Sequence, residues 1–182
     1  MQHQVEGGVL RLFFALPLPA DLRESLARWQ QGQAEVEGWT RPEGLHLTLA
    51  FLGERPAEAL STLLTVACPI ADRHHGFKLW TAGLGGFPTA GTTRVLWLGL
   101  ESSPALEALA TDLRETLATA GEAFDAKPFR AHLTLARWRR ARAVARFVPP
   151  PPIPFTVDRL VLFESRPRGG YTPLGDWNLR RV

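Results

Sequence analysis

The chain of 182 residues has 45% hydrophobic and 21% charged residues, a balance that excludes an intrinsically disordered protein. Its net charge of +3 permits an anionic partner without requiring one, and its long apolar runs are broken by Arg, Pro or Gly, which excludes a membrane-spanning helix. The single cysteine, Cys68, excludes an internal disulfide and predicts a buried, inert thiol in a reducing, cytoplasmic compartment.

In chain order, the first half predicts strand, helix, strand, helix and strand. The run VLRLFFAL could be a signal-peptide core, but no Lys or Arg precedes it and Arg11 interrupts it, so we assign it to a buried strand. Apolar residues at helical spacing follow between Ala20 and Gln33. LHLTLAFLG predicts a second strand, PAEALSTLLTVAC a helix that ends near Pro69, and FKLWTAGLG a third strand.

The second half predicts the same order. RVLWLGL is typical of a strand, and leucines at helical spacing from Leu106 to Leu117 predict a helix that ends at Gly121. AHLTLARW predicts another strand, and ARAVARF is compatible with a short helix. PPPPIP predicts an extended connector, because proline donates no backbone hydrogen bond. FTVDRLVLFES predicts one strong strand, and GGYTPLGDWNL a last strand at a sheet edge.

One pentapeptide, HLTLA, occurs twice, at residues 46–50 and 132–136. Arg11, in the first predicted strand, lies 35 residues before His46, and Arg94, at the start of RVLWLGL, lies 38 residues before His132. This agreement predicts the duplication of a whole unit rather than of a pentapeptide alone.

The predicted fold is therefore a single α+β domain over residues 1–182. It contains two pseudo-symmetric lobes, encoded by units of roughly 9–84 and 94–164. We expect each lobe to be a mainly antiparallel sheet with outer helices, and a central cleft to lie between the lobes.

The repeated motif also predicts a site. Side chains alternate between the two faces of a strand, so His46 shares a face with Thr48, and His132 shares a face with Thr134. The leucines between them need an apolar layer, so the His/Thr faces must point to something polar. If the strands meet about a pseudo-two-fold axis, two imidazoles on opposite sides of a phosphorus atom can act as general acid and general base near neutral pH.

The two motifs also have interpretations other than catalysis. A single His-x-Thr on a strand is more often a satisfied polar pair, but two copies at matching positions favour a site. Neither motif has Asp, Glu, Cys or a third His at ligand spacing, so we predict no metal and no cofactor.

Arginines crowd after the second motif, and the sequence leaves open whether they form a solvated helix face or bind an anion. They are Arg137, Arg139, Arg140, Arg142 and Arg146.

With both motifs placed, the sequence resembles the 2H phosphoesterase superfamily, which is named for two H-x-[ST]-x motifs. It is most similar to the bacterial and archaeal RNA 2′,3′-cyclic phosphodiesterases of that superfamily, also called 2′-5′ RNA ligases. The resemblance covers nearly the whole chain and is carried by RLFFALPLP, LHLTLAFLGE, GGFPTAGTTRVLWLGL, FRAHLTLAR and LVLFESRPRGGYTPLGDWNL.

The resemblance implies the 2H fold and the hydrolysis of an RNA 2′,3′-cyclic phosphate to a 2′-phosphate, without a metal. It implies that His46 donates a proton to the departing 3′-oxygen and that His132 accepts one from water. Thr48 and Thr134 are then expected to hold the phosphate oxygens.

Two further site residues are implied by the resemblance. Phe51 is expected to stack on the terminal base, and Arg137 to add positive charge beside the phosphate. Arg137 lies three residues after Thr134, however, so on an ideal strand it faces away from the site and needs a bend to reach it.

The same cleft would perform 2′-5′ ligation without ATP if an RNA 5′-hydroxyl replaced water. Two alternatives stay open: a 2H enzyme for a small nucleotide such as ADP-ribose 1″,2″-cyclic phosphate, and a non-catalytic module that binds RNA ends. We expect a monomer whose partners are RNA ends or small cyclic nucleotides, and no membrane.

Overall fold

A computed structural model describes residues 8–33, 37–88, 92–166 and 169–181 of the chain. Over these residues the chain forms eight strands, three α-helices and two short 3-10 turns. No helix in these ranges is long and apolar enough to cross a membrane. The elements are β1 (Val9–Pro17), α1 (Ala20–Gln31), η1 (Pro42–Gly44), β2 (His46–Pro56), α2 (Ala59–Arg73), β3 (Phe77–Phe87), β4 (Thr92–Leu100), α3 (Pro104–Thr119), β5 (His132–Ala143), η2 (Val144–Arg146), β6 (Pro154–Val157), β7 (Arg159–Ser165) and β8 (Tyr171–Asn178).

The strands form one sheet in the order β6-β3-β4-β5-β2-β1-β7-β8, and neighbouring strands are antiparallel. Four strands on each side make two half-sheets, which join where Leu47 of β2 pairs with Leu133 of β5. Both leucines are fully buried. The predicted α+β class and the mainly antiparallel pairing are confirmed, and the two lobes are the halves of this one sheet.

Each half-sheet takes strands from both parts of the sequence. β3 follows the first motif but pairs with β4, whereas β7 follows the second motif but pairs with β1. The stretch predicted as one strand in FTVDRLVLFES is broken at Asp158 into β6 and β7, which lie in different halves of the sheet. Because the strands are mixed in this way, the duplicated units of 9–84 and 94–164 stay a prediction.

The helices cover the apolar side of the sheet. α2 and α3 contact each other and β2, and α2 also packs on β7 and β8. α2 continues past Pro69 to Arg73, so the predicted helix end was wrong; Ile70 is fully buried, and burial of this last turn offsets the missing N–H bond of proline. The predicted burial of Cys68 was also wrong, since its thiol lies on the exposed face of the same helix.

The arginine-rich segment lies on a strand and not on a helix. β5 runs on to Ala143, and only Val144–Arg146 form a helical turn, of the 3-10 type. The inward side chains of this segment join an aromatic cluster that ties α1 and η2 to β5, with Trp29, Trp39, Trp138 and Phe147 as members. This packing keeps the strand extended and leaves Arg139 and Arg140 in solvent, whereas Arg142 is half-buried with its guanidinium carbon 5.7 Å from the centroid of Trp138.

Candidate active site

A cleft of about 910 Å³ opens where the two half-sheets meet. His46 and Thr48 of β2 line it, together with His132 and Thr134 of β5. The antiparallel register of the central leucine pair, continued by one residue on each side, sets each histidine beside the threonine of the other strand. The structure thus brings the four motif side chains together on one surface.

Both histidines are fixed in the same manner. The Nδ1 atom of His46 lies 2.8 Å from the carbonyl oxygen of Gly44, and that of His132 lies 2.6 Å from the carbonyl oxygen of Arg130. In each case the ring N–H donates to the carbonyl two residues earlier, so the unprotonated nitrogen of the neutral ring is Nε2. An imidazole held in this tautomer can accept a proton at Nε2 or, once protonated, donate it from the same atom.

A one-residue bulge follows the threonine in both motifs. The pairing of β2 with β1 skips Leu49, and the pairing of β5 with β4 skips Leu135. An extra residue in one strand shifts the alternation of side chains, so the third residue after each threonine returns to the cleft face. These residues are Phe51 on β2 and Arg137 on β5, and both line the cleft. The bulge is therefore the bend that Arg137 was predicted to need.

The bulge on β5 is held by the segment that precedes η1. The N–H of Thr40 donates to the carbonyl of Leu135 at 2.8 Å, and the N–H of Arg137 donates to the carbonyl of Gly38 at 2.9 Å. The buried amide of Gln30 donates to the same Leu135 carbonyl at 3.4 Å. Gly38 has a φ of +88°, and a Cβ there would clash with the Arg137 carbonyl, so glycine is required. Sequence reasoning missed these supporting residues, because they are far from the motif in the chain.

Aromatic rings surround His46. Its ring centroid lies 4.8 Å from that of Phe13, 4.9 Å from that of Tyr171 and 6.4 Å from that of Phe163. Burial among these rings lowers the pKa of His46 from 6.5 to about 4, and the nearby positive charge of Arg137 acts in the same direction. His46 is therefore neutral near pH 7 in the free protein. The three rings were not singled out from the sequence, because strands β1, β7 and β8 supply them separately.

His132 lies in a different environment. Its ring centroid is 5.2 Å from that of Phe87 and 6.2 Å from that of Trp97. Burial lowers its pKa, and the positive charges of Arg137 and Arg130 lower it further. The charge of Arg137 acts on both histidines, whereas that of Arg130 acts on His132 alone. The guanidinium of Arg137 thus lies near enough to both imidazoles to act on their charge, and that of Arg130 lies near His132.

The remaining predicted residues are divided between the cleft and the surface. The ring of Phe51 lies in the cleft, with the Arg11 guanidinium carbon 5.1 Å from its centroid. Of the five clustered arginines, Arg137 lines the cleft within the described ranges and the other four do not. Their binding to RNA stays a prediction; they are Arg139, Arg140, Arg142 and Arg146.

The donor set of the cleft suits acid–base chemistry on an anion. It combines two imidazoles, two hydroxyl groups and one guanidinium. The hydroxyl groups and the guanidinium can bind phosphate oxygens, and each imidazole can transfer one proton on its own side of the phosphorus. In the part of the chain that the structure describes, no group of three or more His, Cys, Asp or Glu is placed to hold a metal ion.

The chain is similar to known proteins over most of its length. The family model of the 2′-5′ RNA ligase superfamily matches residues 17–168. The RNA 2′,3′-cyclic phosphodiesterase of Escherichia coli K12 is 39% identical over 93% of this chain and 96% of that protein. The protein of the same name from Geobacillus stearothermophilus is 29% identical over 84% of this chain, which spans 51% of that longer protein. The crystal structure of E. coli LigT complexed with 3′-AMP matches with a TM-score of 0.76 and 35% identity, over 94% of this chain and 99% of that one.

Proposed function

The chain belongs to the 2′-5′ RNA ligase superfamily, and we propose that it hydrolyses RNA 2′,3′-cyclic phosphate ends to 2′-phosphates. The family resemblance drawn from the sequence is confirmed, and so is the enzyme class, a hydrolase. One observation carries the proposal: His46 and His132 lie on adjoining strands, each is fixed through Nδ1, and each keeps Nε2 for the same cleft.

In the proposed reaction the cyclic phosphate lies between the two imidazoles. Neutral His132 takes a proton from water at Nε2 while the water oxygen attacks phosphorus, and protonated His46 gives its proton to the departing 3′-oxygen. The new P–O bond forms as the P–O3′ bond breaks, which leaves a 2′-phosphate and a 3′-hydroxyl. His132 ends protonated and His46 ends neutral, so proton exchange with solvent restores the starting state.

The other residues of the cleft are proposed to stabilise the phosphate. The hydroxyls of Thr48 and Thr134 donate hydrogen bonds to the non-bridging oxygens. The guanidinium of Arg137 lines the same cleft and acts on the charge of both histidines, so it can stabilise the negative charge that increases on the phosphate in the transition state. Phe51, at the corresponding place on β2, offers an apolar face on which the terminal base can stack. No step of this mechanism calls on a metal ion.

The same geometry supports 2′-5′ ligation as a second reaction of the cleft. An RNA 5′-hydroxyl takes the place of water, His132 receives its proton, and the product is a 2′-5′ phosphodiester with a free 3′-hydroxyl. The energy of the strained cyclic ester replaces ATP. The cytoplasmic location and the monomeric state stay predictions.

We expect the protein, in excess EDTA, to convert an oligonucleotide with a 2′,3′-cyclic phosphate end into the 2′-phosphate product alone. Chromatography against 2′- and 3′-phosphate standards identifies the product, and cyclic mononucleotides are tested in parallel. Turnover of ADP-ribose 1″,2″-cyclic phosphate without turnover of RNA would favour the small-nucleotide alternative. Binding of the RNA end without any turnover would favour the non-catalytic module.

The lowered pKa values of the free protein predict an acidic optimum for kcat/KM. His46 must be protonated and His132 neutral, and both pKa values lie below 6.5, that of His46 at about 4. The form with protonated His46 and neutral His132 is most populated at the pH midway between the two pKa values. Because both pKa values are below 6.5, kcat/KM should reach its maximum below pH 6.5 and fall on either side of it. A bound phosphate anion raises both pKa values, so the optimum for kcat should lie at higher pH. A kcat/KM maximum above pH 6.5 would contradict this expectation.

A further inference from the structure

We propose that the His132 side of the cleft binds the 5′-terminal nucleotide of an acceptor RNA, and that Arg130 holds the first phosphate of that acceptor. The inference rests on the proposed ligation at this site and specifies its second substrate. In an in-line displacement the nucleophile enters opposite the leaving group. His46 serves the leaving 3′-oxygen, so an acceptor hydroxyl must approach past His132, and the side chains there meet the acceptor.

The two sides of the cleft differ in chemistry in the way that two such substrates require. On the His46 side the cleft is lined by the ring of Tyr171, whose centroid is 4.9 Å from that of His46, and this apolar face suits the uncharged ribose and base of the cyclic nucleotide. The opposite side carries Phe87, which lines the cleft, and the exposed guanidinium of Arg130. An aromatic ring beside an arginine is a combination that stacks a base and binds a phosphate.

The guanidinium of Arg130 lies on the His132 side of the cleft. Its guanidinium carbon lies 5.8 Å from the centroid of Phe87 and 6.0 Å from that of Trp97, the two rings that flank His132. Arg137 already supplies a positive charge that acts on both histidines. A second cation beside the rings that flank His132 can serve a second phosphate, and an acceptor with a free 5′-hydroxyl carries its first phosphate one ribose further on.

The first motif has no counterpart of this cation. The residue two before His46 is Gly44, whereas the residue two before His132 is Arg130. Both carbonyls accept the Nδ1–H of their histidine, so the backbone role is shared and the guanidinium is an addition on one side only. The asymmetry matches a reaction in which one side holds a neutral sugar and the other holds an incoming nucleotide.

Other basic residues at this end of the cleft are engaged by their neighbours. Arg114 donates to the carbonyls of Asp125 and Lys127, at 3.3 and 2.7 Å, and Lys127 pairs with the carboxylate of Asp125 at 3.1 Å. Across the described segments, Arg130 has no carboxylate within ion-pair distance. Arg130 is therefore the cation at this end that a phosphate can bind without breaking a hydrogen bond or an ion pair.

The test compares ligation with hydrolysis in one reaction. The protein and its Arg130→Met variant receive adenosine 2′,3′-cyclic phosphate with either adenosine 3′-phosphate or adenosine as acceptor. We expect Arg130→Met to lower the ratio of 2′-5′-linked product to hydrolysed product roughly tenfold or more with adenosine 3′-phosphate, because a charged hydrogen bond is lost. With adenosine, which has no phosphate, the ratio should change much less. Arg139→Met, on β5 and outside the cleft lining, should keep the unmodified ratio.

The outcomes separate this inference from the proposed function. Equal ratios in Arg130→Met and the unmodified protein with adenosine 3′-phosphate would overturn it. Hydrolysis of an oligonucleotide with a 2′,3′-cyclic phosphate end is measured in parallel. If Arg130→Met lowers only that rate, the inference is also overturned, because Arg130 would then hold the cyclic-phosphate strand. Hydrolysis with no ligation at any acceptor concentration would overturn it as well. If the unmodified protein hydrolyses nothing, the proposed function itself fails. Arg130→Lys should recover part of the ratio, which supports a role of charge over one of packing.

Discussion

Replacing either histidine with alanine is expected to lower kcat by roughly two to four orders of magnitude, the usual contribution of a positioned acid or base. His46 and His132 are proposed to act on opposite sides of one phosphorus, so neither can compensate for the other. Both rings line the cleft and lie outside the leucine-rich core, so the variants should fold. Circular dichroism and thermal unfolding provide that control, and near-normal kcat in either folded variant would rule out the two-histidine mechanism.

A substrate with sulfur in place of the 3′-oxygen distinguishes the two roles. A thiolate departs without a proton, so the variant that lacks the general acid should recover most of its lost rate. We therefore expect rescue of His46→Ala and no rescue of His132→Ala, measured as the ratio of kcat for the sulfur and oxygen substrates. The opposite pattern would reverse the assigned roles.

Loss of the Arg137 guanidinium is expected to lower kcat/KM by roughly two to three orders of magnitude, as removal of a group that stabilises transition-state charge does elsewhere. The loss should be similar for a cyclic mononucleotide and an oligonucleotide, because the guanidinium is proposed to act on the reacting phosphate itself. Arg137→Met keeps the length and the apolar part of the side chain. Removing the charge should also raise the pKa of both histidines, since Arg137 now lowers them, and so move the kcat/KM maximum to higher pH.

The matched control for this variant is Arg139→Met, two residues further along β5. Its side chain is exposed and does not line the cleft, so kcat/KM for the mononucleotide should be unchanged. Equal losses in the two variants would mean that overall charge, and not position, sets the rate. An unshifted pH maximum in Arg137→Met would show that its guanidinium does not act on the histidines.

The motif side chains could be predicted because their geometry is local. His46 and Thr48 share a face through the period of a strand, and the second copy repeats this pattern, so a shared cleft follows from two short stretches of sequence. The orientation of Arg137 could not be predicted in the same way. It depends on a bulge whose backbone groups bond to Gly38 and Thr40, and nothing near the motif encodes that contact.

The fold shows the same division between local and distant information. The sequence pattern identified most strands and helices, but the partners of β3, β6 and β7 are set by packing across the sheet. The break at Asp158 lies within an apolar run that looks continuous in the sequence. The predictions that the helix ends near Pro69 and that Cys68 is buried were wrong because residue type alone does not show which face of the helix meets the sheet.

The paired bulges mean that each central strand presents three places to the cleft: the histidine, the threonine and the third residue after it. The first two places hold the same residues on both strands, and the third holds Phe51 on one and Arg137 on the other. The asymmetry of the cleft is therefore not built into the bulged backbone of the two central strands. It is a property of side chains mounted on a nearly symmetric frame: the residues at this third place, Arg130 beside His132, and the aromatic rings around His46. A protein engineer who wants to exchange the roles proposed for the two histidines would have to change all of these side chains, while every strand stays in place.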